Sequence, residues 1–242
     1  MPGLTPYLTG WELQRTVHAE VAAGHRPPTI LLLEHESTYT AGRRTHASEY
    51  PTDGTPVIEV DRGGKITWHG PGQLVAYPIL PLRQPLDVIE FLRRLEAAVI
   101  AVCAACGVQA GLVAGRSGVW VGDAAEIDFG RVSQLLAAGQ EAVFLQSGTP
   151  FPIGGSAPAI QGAQARKVCA VGARVAKGVT MHGLALNCDP DLRAFDRIVP
   201  CGIADASVTS LSVETGQRVT VPKLRSLLAE ALVESLTPQV AE

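Results

Sequence analysis

The sequence lacks a membrane-spanning run, a secretion signal and an excess of charge of either sign. No window in its 242 residues approaches the roughly 18 apolar residues of a membrane span. The first residues, MPGLTPYLTGWELQ, lack the basic start and apolar run of a signal peptide. With 18% charged residues and a net charge of −3, the composition does not indicate nucleic-acid binding. We therefore expect a cytoplasmic protein that binds neither nucleic acid nor a membrane.

Cysteine is scarce, and its spacing does not favour a metal centre. The chain has Cys103, Cys106, Cys169, Cys188 and Cys201, which we expect to be reduced in the cytoplasm. Cys103 and Cys106 form a single CxxC pair on the apolar stripe of a predicted helix. A structural zinc site of this type needs a second pair of ligands. We therefore assign both residues to the core and predict no metal site.

Common catalytic and phosphate-binding motifs are also missing. There is no GxSxG elbow and no HExxH helix. The segment RGGKITWHGPGQ, residues 62–73, is rich in glycine, but a P-loop needs a glycine five residues before Gly-Lys-Ser/Thr. Glu59 occupies that position relative to Gly64, and Ile66 follows Lys65. The segment is either a glycine-rich turn between two strands or the wall of an active site.

Apolar periodicity predicts an α+β fold with a mostly antiparallel sheet. Helices are predicted at residues 11–23, 86–106, 192–198 and 222–236, and strands at 29–33, 56–60, 74–80, 119–121, 167–175 and 179–187. Lys177 and Gly178 form the predicted turn between the last two strands. Strands lie before and after a single long helix without regular alternation of strand and helix, which favours an antiparallel sheet.

We predict a single domain over residues 1–242, interrupted by one irregular segment. The pattern loosens at residues 123–164, and residues 142–165 carry no charge while holding several glycines and prolines. A long structureless stretch is uncommon inside a compact domain. The segment is therefore expected to be a mobile loop or a small insertion.

Basic residues concentrate in three short segments, which are also the segments with unusual glycines. They are Arg43, Arg44, Arg62, Lys65, Arg166, Lys167, Arg174 and Lys177. If the segments converge, they form a basic site suited to an acidic partner or to a carboxylate or phosphate group. The alternative is ordinary solvated surface charge.

Cys201 is the cysteine with the most promising surroundings for chemistry. It lies between a proline and a glycine after the predicted helix at 192–198, a position that exposes a thiol at a turn. Nearby backbone amides can stabilise an oxyanion there. A thiol with a pKa of about 8.5 is mostly protonated at neutral pH, so a nucleophile needs a nearby cation. Lys167, His69 and His182 are candidates, and a structural turn thiol is the alternative.

Several stretches, taken together, resemble one protein family. They are WELQ, LLLEHESTYTAGRR, RGGKITWHGPGQLVAYPIL, ARKVCAVGARV, MHGLALNC and IVPCGIADASVTSL, in the family's order. The family is the lipoyl(octanoyl) transferases of lipoate biosynthesis, which are octanoyl-acyl carrier protein:protein N-octanoyltransferases. The resemblance covers nearly the whole chain except residues 123–164. It implies the fold of biotin and lipoate protein ligases.

The resemblance also implies a reaction and its partners. An octanoyl group would pass from octanoyl-acyl carrier protein to a lysine of a lipoyl domain through an acyl-cysteine thioester, as the first step of endogenous protein lipoylation. The implied acceptors are the lipoyl domains of 2-oxoacid dehydrogenase E2 subunits and the glycine cleavage H protein. No cofactor is implied. Thioester exchange is nearly isoenergetic and aminolysis of a thioester is downhill, so the chemistry does not require ATP.

The family's functional residues fall on specific positions of this sequence. The nucleophile falls on Cys201 and its partner on Lys167, which form a Cys/Lys dyad. The substrate-binding positions are Arg62, Gly63, Gly64, Lys65, Ile66, Thr67, Trp68, His69, Ala170, Val171, Gly172, Gly183, Leu184 and Ala185. An ammonium beside a thiol lowers the thiol pKa by about one to three units, which would make Cys201 a usable nucleophile.

Two departures from the family pattern and two alternative functions bear on this assignment. The strand before the first helix looks shortened, and the segment before Ala165 is longer than the usual connection.

An ATP-dependent lipoate or biotin protein ligase is one alternative function, but an adenylate mechanism has no use for Cys201. A non-enzymatic acyl-binding module is the other, and the presence of Lys167, Cys201 and His69 argues against it.

Overall fold

The computed structural model describes residues 3–113, 115–122, 165–198 and 207–241, and the backbone of residues 142–144 and 150–152. The helices are α1 Tyr7–Ala22, α2 Val88–Ala105, α3 Leu211–Thr215 and α4 Val221–Leu236. The strands up to α2 are β1 Leu4–Thr5, β2 Thr29–His35, β3 Thr38–Ala41, β4 Val57–Glu59, β5 Thr67–His69 and β6 Gln73–Ile79. The later strands are β7 Ala110–Gly111, β8 Val119–Val121, β9 Ala142–Phe144, β10 Pro150–Pro152, β11 Arg166–Ala176, β12 Val179–Asn187 and β13 Ser207–Val208. Short 3₁₀ helices span Ala47–Glu49, Leu192–Arg197 and Thr237–Gln239.

One large sheet and one small sheet organise the fold. The large sheet has the order β1-β2-β6-β12-β11-β8-β7, with β13 paired to β11. Its pairs are antiparallel except for β1 with β2 and β11 with β13. The small sheet has the order β4-β3-β5. The predicted α+β class with a mostly antiparallel sheet is confirmed.

The two faces of the large sheet bury different side chains, because neighbouring residues of a strand point to opposite faces. On one face, Leu74, Leu184 and Leu186 join the main core with residues of α2 and α4. On the other face, Val75 and Ala185 form a separate small cluster with Leu33 and Tyr77. Cys103 is fully buried in the main core, so its predicted structural placement is confirmed.

The hairpin of β11 and β12 was predicted closely. Lys177 and Gly178 have φ of 52° and 75°, as a two-residue hairpin turn requires. The register places Gly172 opposite Gly183 and Ala170 opposite Ala185. The small residues of both strands therefore share one face, and Val171 and Leu184 point to the main core. Because the side chains on this face are small, a neighbouring loop can pack close to the backbone of both strands.

Several predicted boundaries and elements were wrong. α1 begins at Tyr7 rather than at residue 11, directly after Pro6, which has a φ of −52°. Residues 62–73 are not one turn between two strands, since β5 lies inside them and pairs with β3. Glycines on both sides of this three-residue strand, and a proline after it, hide it in the sequence. The helix expected at 192–198 is a 3₁₀ helix.

The remaining predictions concern the ends and the irregular segment. The short first strand exists as β1, two residues that pair with β2. Within residues 123–164 the described backbone is limited to β9 and β10, which pair antiparallel. The other residues of this segment, which we expected to be mobile, lie outside the described part of the chain. In the described part of the chain, no helix has both the length and the apolar character to cross a membrane.

Candidate active site

A cavity of about 670 Å³ lies against the face of the large sheet that carries the glycines of β11 and β12. Its lining includes Arg43, Arg44, Arg62, Lys65 and Lys167, so the three basic segments converge as one alternative predicted. Among the described lining residues there are also three histidines, but no aspartate or glutamate. The cavity is therefore basic in a chain whose net charge is −3. Such a site favours negatively charged or strongly polarised groups.

The sheet side of the cavity is formed by small residues. A β-carbon at Gly172 would lie 3.0 Å from the carbonyl oxygen of Gly63, and one at Gly183 would lie 2.2 Å from that of Ala76. A side chain at Gly183 has no room, and one at Gly172 would push the loop away by a few tenths of an ångström. Both glycines therefore allow close approach of neighbouring backbone. Ala170 and Ala185 continue the same surface. The result is a smooth floor suited to an extended apolar chain.

The opposite wall is the loop at residues 61–66, which polar contacts fold and attach to the hairpin. The guanidinium of Arg62 donates to the carbonyl oxygens of Gly63, Lys65 and Thr40 at 2.8–3.0 Å, and to the Thr40 hydroxyl at 2.9 Å. The N–H of Gly63 donates to the carbonyl of Ala173 at 3.1 Å. Because Arg62 is 8% exposed and makes these bonds, it shapes the loop as well as lining the cavity.

Asp61 makes a second attachment between this loop and the hairpin. Its carboxylate forms an ion pair with Arg174 of β11 and accepts a 2.8 Å hydrogen bond from His182 Nε2 of β12. His182 has a φ of 59°, an uncommon value for a residue with a side chain. Its backbone N–H donates to Gln14 Oε1 of α1 at 2.9 Å. Burial lowers the pKa of His182 to about 3, so its ring is neutral when it donates to Asp61.

Lys167 lies at one end of the cavity in a largely enclosed position. Its side chain is 7% exposed, and its Nζ is 4.4 Å from the centroid of the Trp120 ring. The ammonium is thereby held by a cation–π contact. The carboxylate of Glu96, which interacts electrostatically with Lys167, accepts a 2.8 Å hydrogen bond from the N–H of Gly118. Burial raises the pKa of Glu96, while Lys167 is among the cations that lower it.

Aromatic and imidazole side chains enclose another part of the cavity. The ring of Tyr7 lies 5.7 Å from that of His69 and 4.8 Å from that of His35. His35 Nδ1 donates to the carbonyl of Thr5 at 2.9 Å, so its Nε2 accepts from the Tyr77 hydroxyl at 2.7 Å. Burial lowers the pKa of His35 to about 4 and raises that of Tyr7 to about 12. These groups are neutral at physiological pH.

Comparison with known proteins identifies the family. A model described as the lipoyl protein ligase A/B catalytic domain matches residues 6–233. The chain belongs to this family. An octanoyltransferase of Mycolicibacterium gilvum is 49% identical over 240 residues, which is 99% of this chain and 85% of the relative. An octanoyltransferase of Mycobacterium tuberculosis is 49% identical over 235 residues, which is 97% of this chain and 84% of the relative.

Solved structures of lipoate ligases share the fold of this lipoyl protein ligase A/B domain. A bi-partite lipoate protein ligase from Thermoplasma acidophilum aligns with a TM-score of 0.59 at 14% identity, covering 93% of this chain and 80% of that one. A lipoate-protein ligase A bound with ATP aligns with a TM-score of 0.59 at 16% identity, covering 99% and 85%. The predicted resemblance to the lipoate ligase fold is confirmed.

Most described residues that the sequence singled out in this lipoyl protein ligase A/B domain do line the cavity. They are Arg62, Gly64, Lys65, Ile66, Thr67, His69, Lys167, Ala170, Val171, Gly172, Gly183, Leu184 and Ala185. Gly63 and Trp68 do not. Trp68 packs edge-on against Phe195 and donates from Nε1 to Ser37 Oγ at 3.0 Å. Cys201 lies outside the described residues.

Other polar residues of the site received no role from the sequence. Tyr7, Tyr77 and Arg116 line the cavity, and Asp61 supports its wall. Single aromatic or charged residues in ordinary helices, strands and loops carry no local signal. Glu96 did have one, since a glutamate on the otherwise apolar stripe of α2 must have partners when it is buried. It is 1% exposed and also accepts from Arg93 at 2.7 Å.

Proposed function

We propose that this protein is an octanoyltransferase that moves an octanoyl group from octanoyl-acyl carrier protein to a lysine of a lipoyl domain. The observation that carries the proposal is 49% identity to octanoyltransferases along 97–99% of the chain. The cavity supports it, since an apolar floor of small residues leads to the ammonium of Lys167. Octanoyl is an uncharged chain with a polarised carbonyl at one end, which matches these two surroundings.

The first step is transfer of the octanoyl group to Cys201. The Cys201 thiolate attacks the thioester carbonyl of the donor, a new C–S bond forms, and the thiolate of the carrier leaves with the electron pair of the broken C–S bond. The Lys167 ammonium supports this step by stabilising the Cys201 thiolate. Cys169 and Cys188 are poor alternatives, because burial raises the pKa of both thiols, that of Cys188 to about 12.

The second step is attack of the acceptor lysine on the acyl-cysteine. A C–N bond forms, the C–S bond breaks, Cys201 leaves as a thiolate beside Lys167, and the nitrogen loses one proton, which ends in the solvent. The product is an amide, which is more stable than a thioester, so no ATP is consumed. Lipoyl domains of 2-oxoacid dehydrogenase E2 subunits and the glycine cleavage H protein are the proposed acceptors, in the cytoplasm. This chemistry uses no metal ion or organic cofactor.

The donor is recognised by charge as well as by the pocket. Arg43, Arg44 and His46 are exposed at the cavity, and Arg116 is partly exposed there. Acyl carrier proteins are acidic, and they present their acyl group on a phosphate-bearing arm. Both features suit a basic entrance, because opposite charges steer and orient an encounter.

The test of the proposal is intact mass after mixing the pure protein with octanoyl-acyl carrier protein. One thioester-linked octanoyl group adds about 126 Da, and we expect a single adduct that maps to Cys201. The Cys201→Ala variant should form none. Octanoate with ATP in place of the carrier is the control and should give no octanoylated lipoyl domain. An adduct that persists in Cys201→Ala, or strong ATP-dependent product, would contradict the proposal.

A further inference from the structure

Gln73 and Asn187 form a buried hydrogen-bonded pair at the sheet face that carries the cavity. They are register partners on β6 and β12, and they are 1% and 3% exposed. Gln73 Nε2 donates to Asn187 Oδ1 at 2.9 Å and to the carbonyl of Trp68 at 3.3 Å. Asn187 Nδ2 donates to the carbonyl of Thr209 at 2.9 Å. Gln73 Oε1 then lies 2.8 Å from His69 Nδ1.

The backbone carbonyl of Thr209, at one end of this series of hydrogen bonds, fixes the orientation of both side-chain amides. A carbonyl oxygen only accepts hydrogen bonds, so the amide nitrogen of Asn187 must face Thr209 and its oxygen must face Gln73. The amide nitrogen of Gln73 therefore faces Asn187, and its oxygen faces His69. His69 Nδ1 must carry the proton that is donated to this oxygen. In the neutral ring, Nε2 is consequently a lone-pair acceptor.

The surroundings of His69 keep this ring neutral and place it at the cavity. Burial, His35, Arg62 and His182 lower the pKa of His69 well below its usual range, and the Gln73 hydrogen bond raises it less. Tyr7 stacks on the ring at 5.7 Å. His69 lines the cavity, and its Nε2 has no hydrogen-bond partner among the described residues. Such an acceptor serves a ligand that brings an N–H or O–H group.

Lys167 and His69 line the same cavity. β6, which carries Gln73, is followed in the sheet by β12 and then by β11, which carries Lys167. Two strand spacings amount to about 10 Å. A second link runs through Thr209, whose N–H donates to the carbonyl of Lys167 at 2.9 Å while its own carbonyl accepts from Asn187. Lys167 and His69 thus both line the cavity in which acyl transfer is proposed.

We infer that His69 Nε2 accepts a hydrogen bond from the attacking amine in the second step, and that Gln73 is the positioning residue that holds His69 in the required tautomer. The inference rests on the proposed function. The octanoyl chain has no hydrogen-bond donor, whereas the attacking nitrogen has one. As the C–N bond forms and the C–S bond to Cys201 breaks, the proton lost from nitrogen passes to Nε2 and from there to water. His69 is then a catalytic residue for lysine transfer but not for acylation of Cys201.

The kinetic test measures the two steps separately in single turnovers. We expect His69→Ala to form the acyl-enzyme from octanoyl-acyl carrier protein within about threefold of the wild-type rate, and to transfer it to a lipoyl domain on the order of 100-fold more slowly. His25→Ala is the control, because this exposed histidine does not line the cavity; it should leave both rates unchanged. Equal slowing of both steps by His69→Ala, or wild-type transfer, would overturn the inference.

Gln73 variants test the positioning role through pH. Gln73→Glu still accepts from Nδ1–H, but its negative charge raises the pKa of His69. Protonated His69 has no lone pair, so the transfer rate of this variant relative to wild type should fall as pH decreases from 8 to 5. Gln73→Leu removes the acceptor and should slow transfer about 10- to 100-fold at every pH in this range, with acylation retained. A pH-independent ratio for Gln73→Glu would contradict the positioning role.

The tautomer is also measurable without substrate, by ¹⁵N NMR of the histidine rings in the wild-type protein. We expect His69 to be the neutral form protonated at Nδ1 throughout pH 6–8. A ring protonated at Nε2 would refute the inference even if every variant failed to fold. If the wild-type protein forms no acyl-enzyme, the proposed function fails and the proposed role in lysine transfer fails with it. The NMR result then decides the structural part by itself.

Discussion

At the scale of single residues, buried cations of this site have different surroundings and therefore different functions. Arg62 points its guanidinium at backbone oxygens of its own loop and at Thr40. Lys167 instead has its ammonium over an aromatic ring at the cavity. A planar fork of donors suits loop folding, whereas a compact ammonium suits a nearby thiolate. The guanidinium of Arg62 therefore stabilises the loop, whereas the ammonium of Lys167 lies at the cavity.

The Lys167 ammonium should control the reactivity of Cys201. We expect Lys167→Ala to slow acylation of Cys201 roughly 10- to 1000-fold, because loss of a neighbouring cation returns the thiol pKa to its usual range. Lys167→Arg retains the charge and should retain more of the acylation rate than the alanine variant. Single-turnover acylation and a thiol titration of Cys201 across pH measure both effects. Wild-type acylation by Lys167→Ala would show that another residue activates the thiol.

At the scale of elements, the hairpin of β11 and β12 packs one face into the main core and lines the cavity with the other, where the residues are small. Leu184 and Leu186 anchor β12 in the main core. Gly183 and Ala185 on the other face leave the backbone accessible. The alternation of a strand thus lets one element stabilise the fold and form the floor of the cavity at the same time.

Substitution of Gly183 should show how tightly this floor is packed. We expect Gly183→Ala to lower the free energy of unfolding by about 1–3 kcal/mol, because the new β-carbon meets the Ala76 carbonyl oxygen at 2.2 Å and the strands must separate. Gly63→Ala is the control, since its β-carbon would be 3.4 Å from the nearest atom, an ordinary contact. Urea denaturation of both variants measures the difference. Similar stability of the two would mean that the strands adjust without cost.

At the scale of the whole molecule, charge is distributed unevenly. The chain is weakly acidic overall, with a net charge of −3. Arg43 and Arg44 are exposed at a cavity that has no carboxylate among its described lining residues. Local fields of this kind act mainly on the rate and orientation of encounters.

Recognition of an acidic donor should therefore depend on salt. We expect kcat/KM for octanoyl-acyl carrier protein to fall about tenfold between low salt and 0.3 M, because exposed charges are screened. A small uncharged octanoyl thioester should show little change. The Arg43→Ala, Arg44→Ala double variant should flatten the dependence, whereas Arg26→Ala, Arg193→Ala, which removes two other exposed arginines, should not. Equal salt dependence of both donors would exclude electrostatic docking at this entrance.

Buried neutral histidines should make stability depend on pH. The pKa of His35 is lowered to about 4 and that of His182 to about 3, both by burial. The unfolded chain binds protons at a pKa near 6.5, so this contribution is present above pH 6.5 and is lost as pH falls toward 4. Each histidine adds a slope of up to ~1.4 kcal/mol per pH unit in that interval.

Denaturation in urea at pH 7.5, 6 and 5 measures this dependence. We expect the free energy of unfolding to decrease steadily over the series. His25→Gln, at an exposed position, should leave the slope unchanged. Constant stability down to pH 5 would mean that these rings take up protons in the folded state.

Local patterns were sufficient for a large part of the fold. The apolar spacing of residues 86–106 indicated α2, and the Lys177–Gly178 turn between two apolar segments indicated the β11–β12 hairpin. Short elements were harder to predict, because β5 has three residues and β1 has two, too few for any periodicity to be visible. The beginning of α1 directly after Pro6 was also missed, because the apolar spacing used to predict this helix began only at residue 11.

The resemblance to a known family implied most of the residues that line the cavity, whereas the sequence by itself determined the main helices and the central hairpin. These depend on local properties: residue type, spacing along one element and the conformational demands of glycine and proline. Only the tertiary structure decided which polar groups meet. Asp61 contacts a histidine 121 residues away, and Gln73 contacts an asparagine 114 residues away. Strand register and loop attachment set such pairs, and no local pattern encodes the distance between two buried groups that are far apart in the chain.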